Sequence, residues 1–503
     1  MKRPEKSIII IGAGIAGLSA GCYGRMNGYR THIFEMHHRP GGLCTSWQNR
    51  GYTIDGCLHW LVGSSPASNF YRIWQELGAV QGRRMIYHEE FMRIEGRDGK
   101  SFIFYTDLDR LEQHMKDLAP GDRDVIEDFS RGLRIFAKYD MPIDKPPELY
   151  SLLDLLKLLS TRLPLMRAFM KWKNVSLADF AARFRDPFLR ETFPLFWDVP
   201  DFSMAFMLMN LAWLHNRSAG YPIGGSLEFS KAIERRYLDL GGEIRYRAPV
   251  QKILVENGRA TGVRLADDSE HRADYVISAA DGHSTIFDML EGKYVSEKIR
   301  TCYEKNPTFQ PLVQVALGIA RPFDETPPLA AGTSFPLEQP VVLAEKEHRR
   351  LPLHIYNFDD TLAPPGKTIV KVMFESDYQY WKKLGESPEH YRAEKERLAD
   401  TVVALLDRRF PGLAAQVEMR DVATPLTYER YTGNWKGSYE GWLPTTKALF
   451  MNMSKTLPGL GSFYMAGQWV EPGGGVPTAA MSGRNVIQII CRKDKKRFVT
   501  TVP

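Results

Sequence analysis

Five cysteines in 503 residues, with no Cys-x-x-Cys pair and an odd count, speak against a disulfide framework. They suit free thiols in a reducing compartment. No stretch supplies the roughly 20 uninterrupted apolar residues of a membrane-spanning helix. No His, Cys, Asp or Glu spacing matches a metal centre. Charge of one sign is not in large excess either: 66 Lys and Arg against 60 Asp and Glu leave +6, spread along the chain. That gives no case for nucleic acid, although a mildly basic surface favours an anionic membrane face. Lys2, Arg3 and Lys6 before an apolar run copy a secretory signal, but glycines interrupt the run, so no signal peptide is expected. The chain, 44% hydrophobic and 25% charged, reads as globular with two or more domains.

The interrupting glycines carry the first functional signal. Ile8-Ile9-Ile10-Ile11 reads as a fully buried parallel strand. Gly12-Ala13-Gly14-Ile15-Ala16-Gly17 follows at G-x-G-x-x-G spacing and opens an alanine-rich helix. Gly12 allows a tight turn, Gly14 a close approach to pyrophosphate, and Gly17 close packing of helix on strand. A second apolar strand, Tyr29–Phe34, ends on Glu35, near the offset of about 20 residues at which an acid meets an adenosine ribose. The register of strand, turn, helix, strand and acid marks a dinucleotide site. A single such fingerprint is present, so no separate nicotinamide domain is expected.

Further along, Arg39-Pro40-Gly41-Gly42-Leu43 suggests backbone running close to a ligand again. Residues 107–139 read as helical. Leu152–Trp172 is dense in leucine, contains Pro164 and carries Lys157, Arg162, Arg167, Lys171 and, just beyond, Lys173 against one acid, Asp154. It reads either as an interfacial membrane helix or as a buried cap. Met204–Leu214, rich in methionine, fills a core or walls a lipid pocket through residues such as Met207. From Tyr221 the pattern returns to α/β, with strands near Val250, Tyr275–Ser278, Val313–Leu317, Ile369–Phe374 and Val417–Val422 and a helix from Pro388. Near the end, Pro472-Gly473-Gly474-Gly475-Val476-Pro477 opens a last helix and offers a second backbone anion cradle.

These pieces resemble the phytoene desaturase, carotenoid isomerase and retinol saturase family of FAD-dependent oxidoreductases. The matching residues are Gly12–Gly17, Glu35, Gly41-Gly42, Gly51–Asp55, Tyr221–Ser226, Val250, Ser278–Asp281, Met465–Gly467 and Pro472–Pro477. The resemblance implies an α/β fold: a Rossmann-type, glutathione-reductase-like FAD-binding domain (1–75, 216–300, 431–503) with an inserted α+β substrate domain (76–215, 301–430) carrying a helical cap. It implies non-covalent FAD contacted by Gly12, Ala13, Gly14, Ile15, Ala16, Gly17, Glu35, Met36, Gly41, Gly42, Leu43, Val250, Ala279, Gly467, Gly474, Gly475 and Val476. The family often has Arg directly after the paired glycine, where this chain has Leu43, so Arg39 is the substitute phosphate partner. The activity implied is hydride transfer at carbon–carbon bonds of a lipophilic isoprenoid or polyene, by desaturation, saturation or isomerisation. His59 is the candidate catalytic residue, and Trp60, Asp198, Met207, Tyr428, Arg430 and Tyr431 are candidate pocket residues. The alternatives are a flavin amine oxidase and a flavin-less prenyl-protein escort. No metal and no nucleic acid is expected. The expected location is cytoplasmic, with the 152–172 segment resting on the inner face of the membrane.

Overall fold

The computed structural model describes residues 5–446, 453–471 and 473–503; Lys2, Arg3 and Pro472 lie outside the described residues. Ile8–Ile11 are all buried because their strand is flanked on both sides. Ile8 pairs with Thr31 in one neighbour and with Tyr275 in the other, both parallel. The five-stranded parallel sheet runs Glu243–Arg245, Arg30–Phe34, Ser7–Ile11, Tyr275–Ser278, Phe463–Met465. Three distant stretches of chain thus build one nucleotide-binding unit. Its first helix, Ile15–Met26, packs on the last, Gly475–Lys493, through glycine. A Cβ at Gly483 would lie 2.3 Å from the carbonyl oxygen of Ala16.

A second sheet has seven strands, in the order Val417–Ala423, Leu312–Ile319, Thr368–Glu375, Lys346–Ile355, Thr333–Leu343, Glu90–Glu95, Ser101–Tyr105. Side chains alternate between its faces. Val313, Val315, Leu317 and Ile319 pack with Val402 and Leu406 of the helix Pro388–Arg409. Gly318 and Lys371 point the other way, toward the hairpin of Ser46–Asn49 and Tyr52–Asp55. A Cβ at Gly318 would meet the Tyr52 ring at 2.7 Å, so only glycine lets sheet and hairpin close. The fold is α/β, a Rossmann-type unit joined to a mixed substrate unit, and the space between this face and the nucleotide unit holds the site.

The helical layer departs from the sequence reading in two places. Residues 107–139 form two helices, Leu108–Leu118 and Arg123–Ala137, because Pro120 cannot continue the first. Leu152–Trp172 is helical but Arg162, two residues before Pro164, leaves helical geometry. Only Ala168 and Trp172 of this helix are buried. Leu152 and Leu153 are 73% and 77% exposed, and Leu155, Leu156, Leu159, Leu163 and Met170 are exposed as well. A cap helix would bury these residues, so the buried-cap reading does not hold for its first half. The basic face is also smaller than the count suggested: Lys171 pairs with Asp128, and Arg162 donates to the carbonyl of Asp140. Among the described residues, no helix is long and apolar enough to cross a membrane.

Candidate flavin site

The phosphate end of the site forms where four loops meet. Gly12 has φ +95° and donates to the carbonyl of Phe34 at 2.8 Å. Gly14 caps Ile15–Met26 with no side-chain acceptor, so the N–H groups of that first turn are left free for an anion. Gly41 donates to Ala13 at 2.9 Å, laying the paired glycines against the loop, and a Cβ on Gly42 would sit 3.4 Å from the Cα of Gly14. Ala279, at the end of the Tyr275–Ser278 strand, closes on Gly12, and Gly467, at φ +107°, approaches Ala16. Glu35 is 6% exposed; one oxygen accepts from Ala13 N–H at 2.6 Å and the other from His37 N–H at 2.7 Å. Burial pushes this carboxyl up from its ordinary value while those N–H groups hold it down. Ala248 donates to the Glu35 carbonyl at 2.9 Å, which brings the start of the Val250 strand beside the acid. Met36 is 44% exposed next to it, and Leu43 is half-buried. Arg39 does not reach the loop: its guanidinium bonds the Ser46 carbonyl and the His38 ring. The helix Gly475–Lys493 is also uncapped by any side chain, with Gly474 at φ +63°. Two uncapped helix starts, glycine-lined backbone and a buried acid at the strand end fit a dinucleotide.

The far end is built by the turn after Asp55. Its carboxylate accepts from the N–H groups of Cys57, Leu58 and Ser226 and from the Ser226 hydroxyl, which fixes the turn to the helix Gly225–Asp239. Lys371, 1% exposed, donates to the Asp55 carbonyl at 2.8 Å and lies 4.8 Å from the Tyr356 ring centre. Burial pushes its ammonium down to about 8. The same burial, with Lys371 adjacent, holds His59 well below its ordinary value and His354 down at about 3. Both imidazoles are therefore neutral, with ring centres 4.9 Å apart. His59 Nε2 and the Tyr356 hydroxyl are buried without a partner. So are both amide atoms of Gln314, which shares the sheet face of Lys371.

From the turn an aromatic file runs to the second glycine loop. Trp60 stacks on Trp197 at 6.5 Å, Trp197 meets Phe202 at 4.7 Å, and Phe202 meets Phe206 at 6.0 Å. Phe206 ends 3.5 Å from where a Cβ on Gly473 would stand. Tyr428, whose hydroxyl burial pushes up, and Tyr439 lie deep in the molecule yet keep accessible surface, so they face an internal space. Glu440 does the same, and burial alone pushes it up to about 7.

Of the residues read from sequence, His59, Trp60 and Tyr428 are brought together here. Met207 is not a wall residue: it has no exposed surface, and Phe206, on the neighbouring face of Met204–His215, takes that place. Arg430 is exposed on the outer side of Pro425–Thr432, and Tyr431, 49% exposed, meets His37 edge-on. Neither enters the cavity, because the helix turns them away from it. Asp198 has His348 and Arg350 as its charged neighbours, and burial pushes its carboxyl up. Lys371, Gln314 and Glu440 were missed; each gains its meaning only from a partner far away in sequence.

The family model described as Flavin containing amine oxidoreductase matches residues 15–491. The prolycopene isomerase of Arabidopsis thaliana is 28% identical over 94% of this chain and 81% of its own. The lycopene-forming phytoene desaturase of Pseudescherichia vulneris is 25% identical over 95% of this chain and 98% of its own. Among solved structures, a putrescine oxidase bound to putrescine superposes with TM-score 0.60 at 17% identity, over 97% of this chain and 99% of that one. An oxidoreductase of Methanosarcina mazei gives 0.59 at 18%, over 96% and 100%. The last two show a shared fold.

Proposed function

Since the chain belongs to the flavin containing amine oxidoreductase family, it is a flavin-dependent oxidoreductase, and we propose that its substrate is a lipophilic polyene whose carbon–carbon bonds it desaturates, saturates or isomerises. The observation that carries this reading is the alignment with prolycopene isomerase and phytoene desaturase along 94–95% of the chain. The file of rings from Trp60 to Phe206 supports it, since a long conjugated hydrocarbon offers no hydrogen bonds and is held by apolar and aromatic surface.

FAD, when bound, supplies two-electron hydride chemistry. The chain would hold it without a covalent bond, with Glu35 at the ribose, the free N–H groups of Gly14–Gly17 and Gly42 at the phosphates, and Gly474–Val476 beside the ring. The Asp55–His59 turn, pinned by Ser226 and Lys371, sets the wall against which the substrate lies. The aromatic file excludes water and aligns the polyene. The exposed leucines of Leu152–Trp172 rest on the cytoplasmic face of a bilayer, from which the substrate is drawn without the chain spanning it.

The test is anaerobic bleaching of the visible flavin absorbance by polyenes in liposomes and, separately, by primary amines. Bleaching by a polyene is expected, and acid precipitation should leave the flavin in the supernatant. Bleaching by amines alone would replace this reading with an amine oxidase.

A further inference from the structure

Glu440 lies directly against the second glycine loop. A Cβ at Gly474 would meet its Oε2 at 3.1 Å, and one at Gly475 would meet its Oε1 at 4.0 Å. Among the described residues no hydrogen bond or ion pair to this carboxyl is found, and burial alone accounts for its raised proton affinity. Its oxygens keep some accessible surface, yet a carboxyl set this deep without a protein donor is costly, and folds keep such groups mainly where function needs them. Next to it stand the thiol of Cys57 from the Asp55 turn and the phenol of Tyr439. Beyond Tyr439 lie Tyr428 and Glu375.

We propose that Glu440 is the acid–base group of the reaction, the carboxylate that takes a proton from the polyene in desaturation and returns it in the reverse direction. The inference rests on the polyene reading above. In the desaturating direction one carbon gives up its hydrogen with both electrons, as hydride, to the oxidised flavin. The neighbouring carbon gives up its hydrogen as a proton to a Glu440 oxygen, and the electron pair of that C–H bond becomes the second bond of the new alkene. Atoms and charge balance with the flavin as the sole oxidant. A carboxyl that titrates at about 7 is present in both forms near neutrality, which suits a group that takes and gives back one proton. The Cys57 thiol is pushed up by its hydrogen bond with Cys44 and by burial, and the Tyr428 and Tyr439 phenols by burial; all three stay protonated there, whereas Glu375, also pushed up, is a second carboxyl that the test must separate.

The experiment compares wild type, Glu440→Gln, Glu440→Asp and Glu375→Gln as holoproteins, with flavin content measured first. Wild-type single-turnover bleaching by a polyene should rise about tenfold from about pH 6 to about pH 8. Glu440→Gln should bind FAD fully, bleach some 10²- to 10⁴-fold more slowly and lose the pH dependence. Glu440→Asp should recover part of the rate, and Glu375→Gln should keep the wild-type midpoint. A Glu440→Gln protein that bleaches at the wild-type rate, or a midpoint that moves with Glu375 instead, overturns the assignment. The flavin spectrum of the resting proteins gives a second readout that needs no substrate. A band shift with a midpoint near 7 in wild type and none in Glu440→Gln supports the placement; no such shift in wild type refutes it. If no polyene bleaches wild type while the band shift is present, the substrate reading fails and the placement of Glu440 beside the flavin stands.

Discussion

At position 371 a lysine stands on a central strand with 1% of its surface exposed. Its ammonium has the Asp55 carbonyl and the Tyr356 ring as neighbours, and among the described residues it forms no ion pair. Its proton affinity falls from the ordinary 10.5 to about 8 because the folded protein disfavours the charge. Below about pH 8 both folded and unfolded chains carry the proton, and the folded state bears the full penalty. Above the unfolded value both are neutral and the penalty is gone. A drop of this size corresponds to about 3 kcal/mol, partly offset by the bond to Asp55. Lys371→Met should therefore raise the thermal midpoint at neutral pH, by about 1–2 kcal/mol of stability, with the gain shrinking as pH approaches 10.5. Its turnover should fall, because the Asp55–His59 turn loses its strap. A variant less stable than wild type at pH 7 would show that the bond outweighs the buried charge.

Between the first strand and first helix, two glycines are required for different reasons, and their variants should separate. A Cβ on Gly14 meets nothing nearer than the Gly41 carbonyl oxygen at 3.9 Å, and Gly14 has ordinary extended dihedrals. Gly14→Val should fold normally and bind no FAD, since only the ligand needs that space. A Cβ on Gly17 would stand 1.9 Å from the Gly12 carbonyl oxygen, so Gly17→Ala should lose stability with or without flavin. Thermal midpoints and flavin-to-protein ratios distinguish the two; normal flavin content in Gly14→Val would sink the phosphate-loop assignment. This element was legible in sequence because turn, helix start and acid lie within about 25 residues and follow one local logic. Met204–His215 was not, since it is apolar on every side and its periodicity points to no face. That is why the sequence pattern does not single out Phe206 as the residue left partly exposed. Glu440 and Lys371 carry no local signature at all. The first matters because it meets Gly474, 34 positions on, and the second because it meets Asp55, 316 positions back.

On the scale of the whole molecule, the first half of Leu152–Trp172 is an apolar surface that none of the described residues covers. Six leucines from Leu152 to Leu163 are each at least 41% exposed, on a helix that elsewhere packs through Ala168 and Trp172. The charges beside them argue for a bilayer, although less strongly than their number suggests. Asp154 is neutralised by Lys145, Lys171 is engaged by Asp128, and Arg162 by a backbone carbonyl. Among the described residues, Lys157 and Arg167 carry no ion pair, and each is worth about 1 kcal/mol at an anionic surface. Burying the leucines is worth more, at about 0.8 kcal/mol for each CH₂ group placed in lipid. Membrane binding should therefore depend mainly on the leucines and only partly on salt. In liposome co-sedimentation, Leu153→Glu with Leu156→Glu should abolish binding to vesicles with or without anionic lipid. Lys157→Glu with Arg167→Glu should weaken binding to anionic vesicles and leave neutral ones unaffected. If the leucine variant instead dissociates an oligomer in size-exclusion chromatography and wild type ignores vesicles, the patch is an interface between copies of this chain. Wild-type binding that survives the leucine changes would place the lipid contact elsewhere on the molecule.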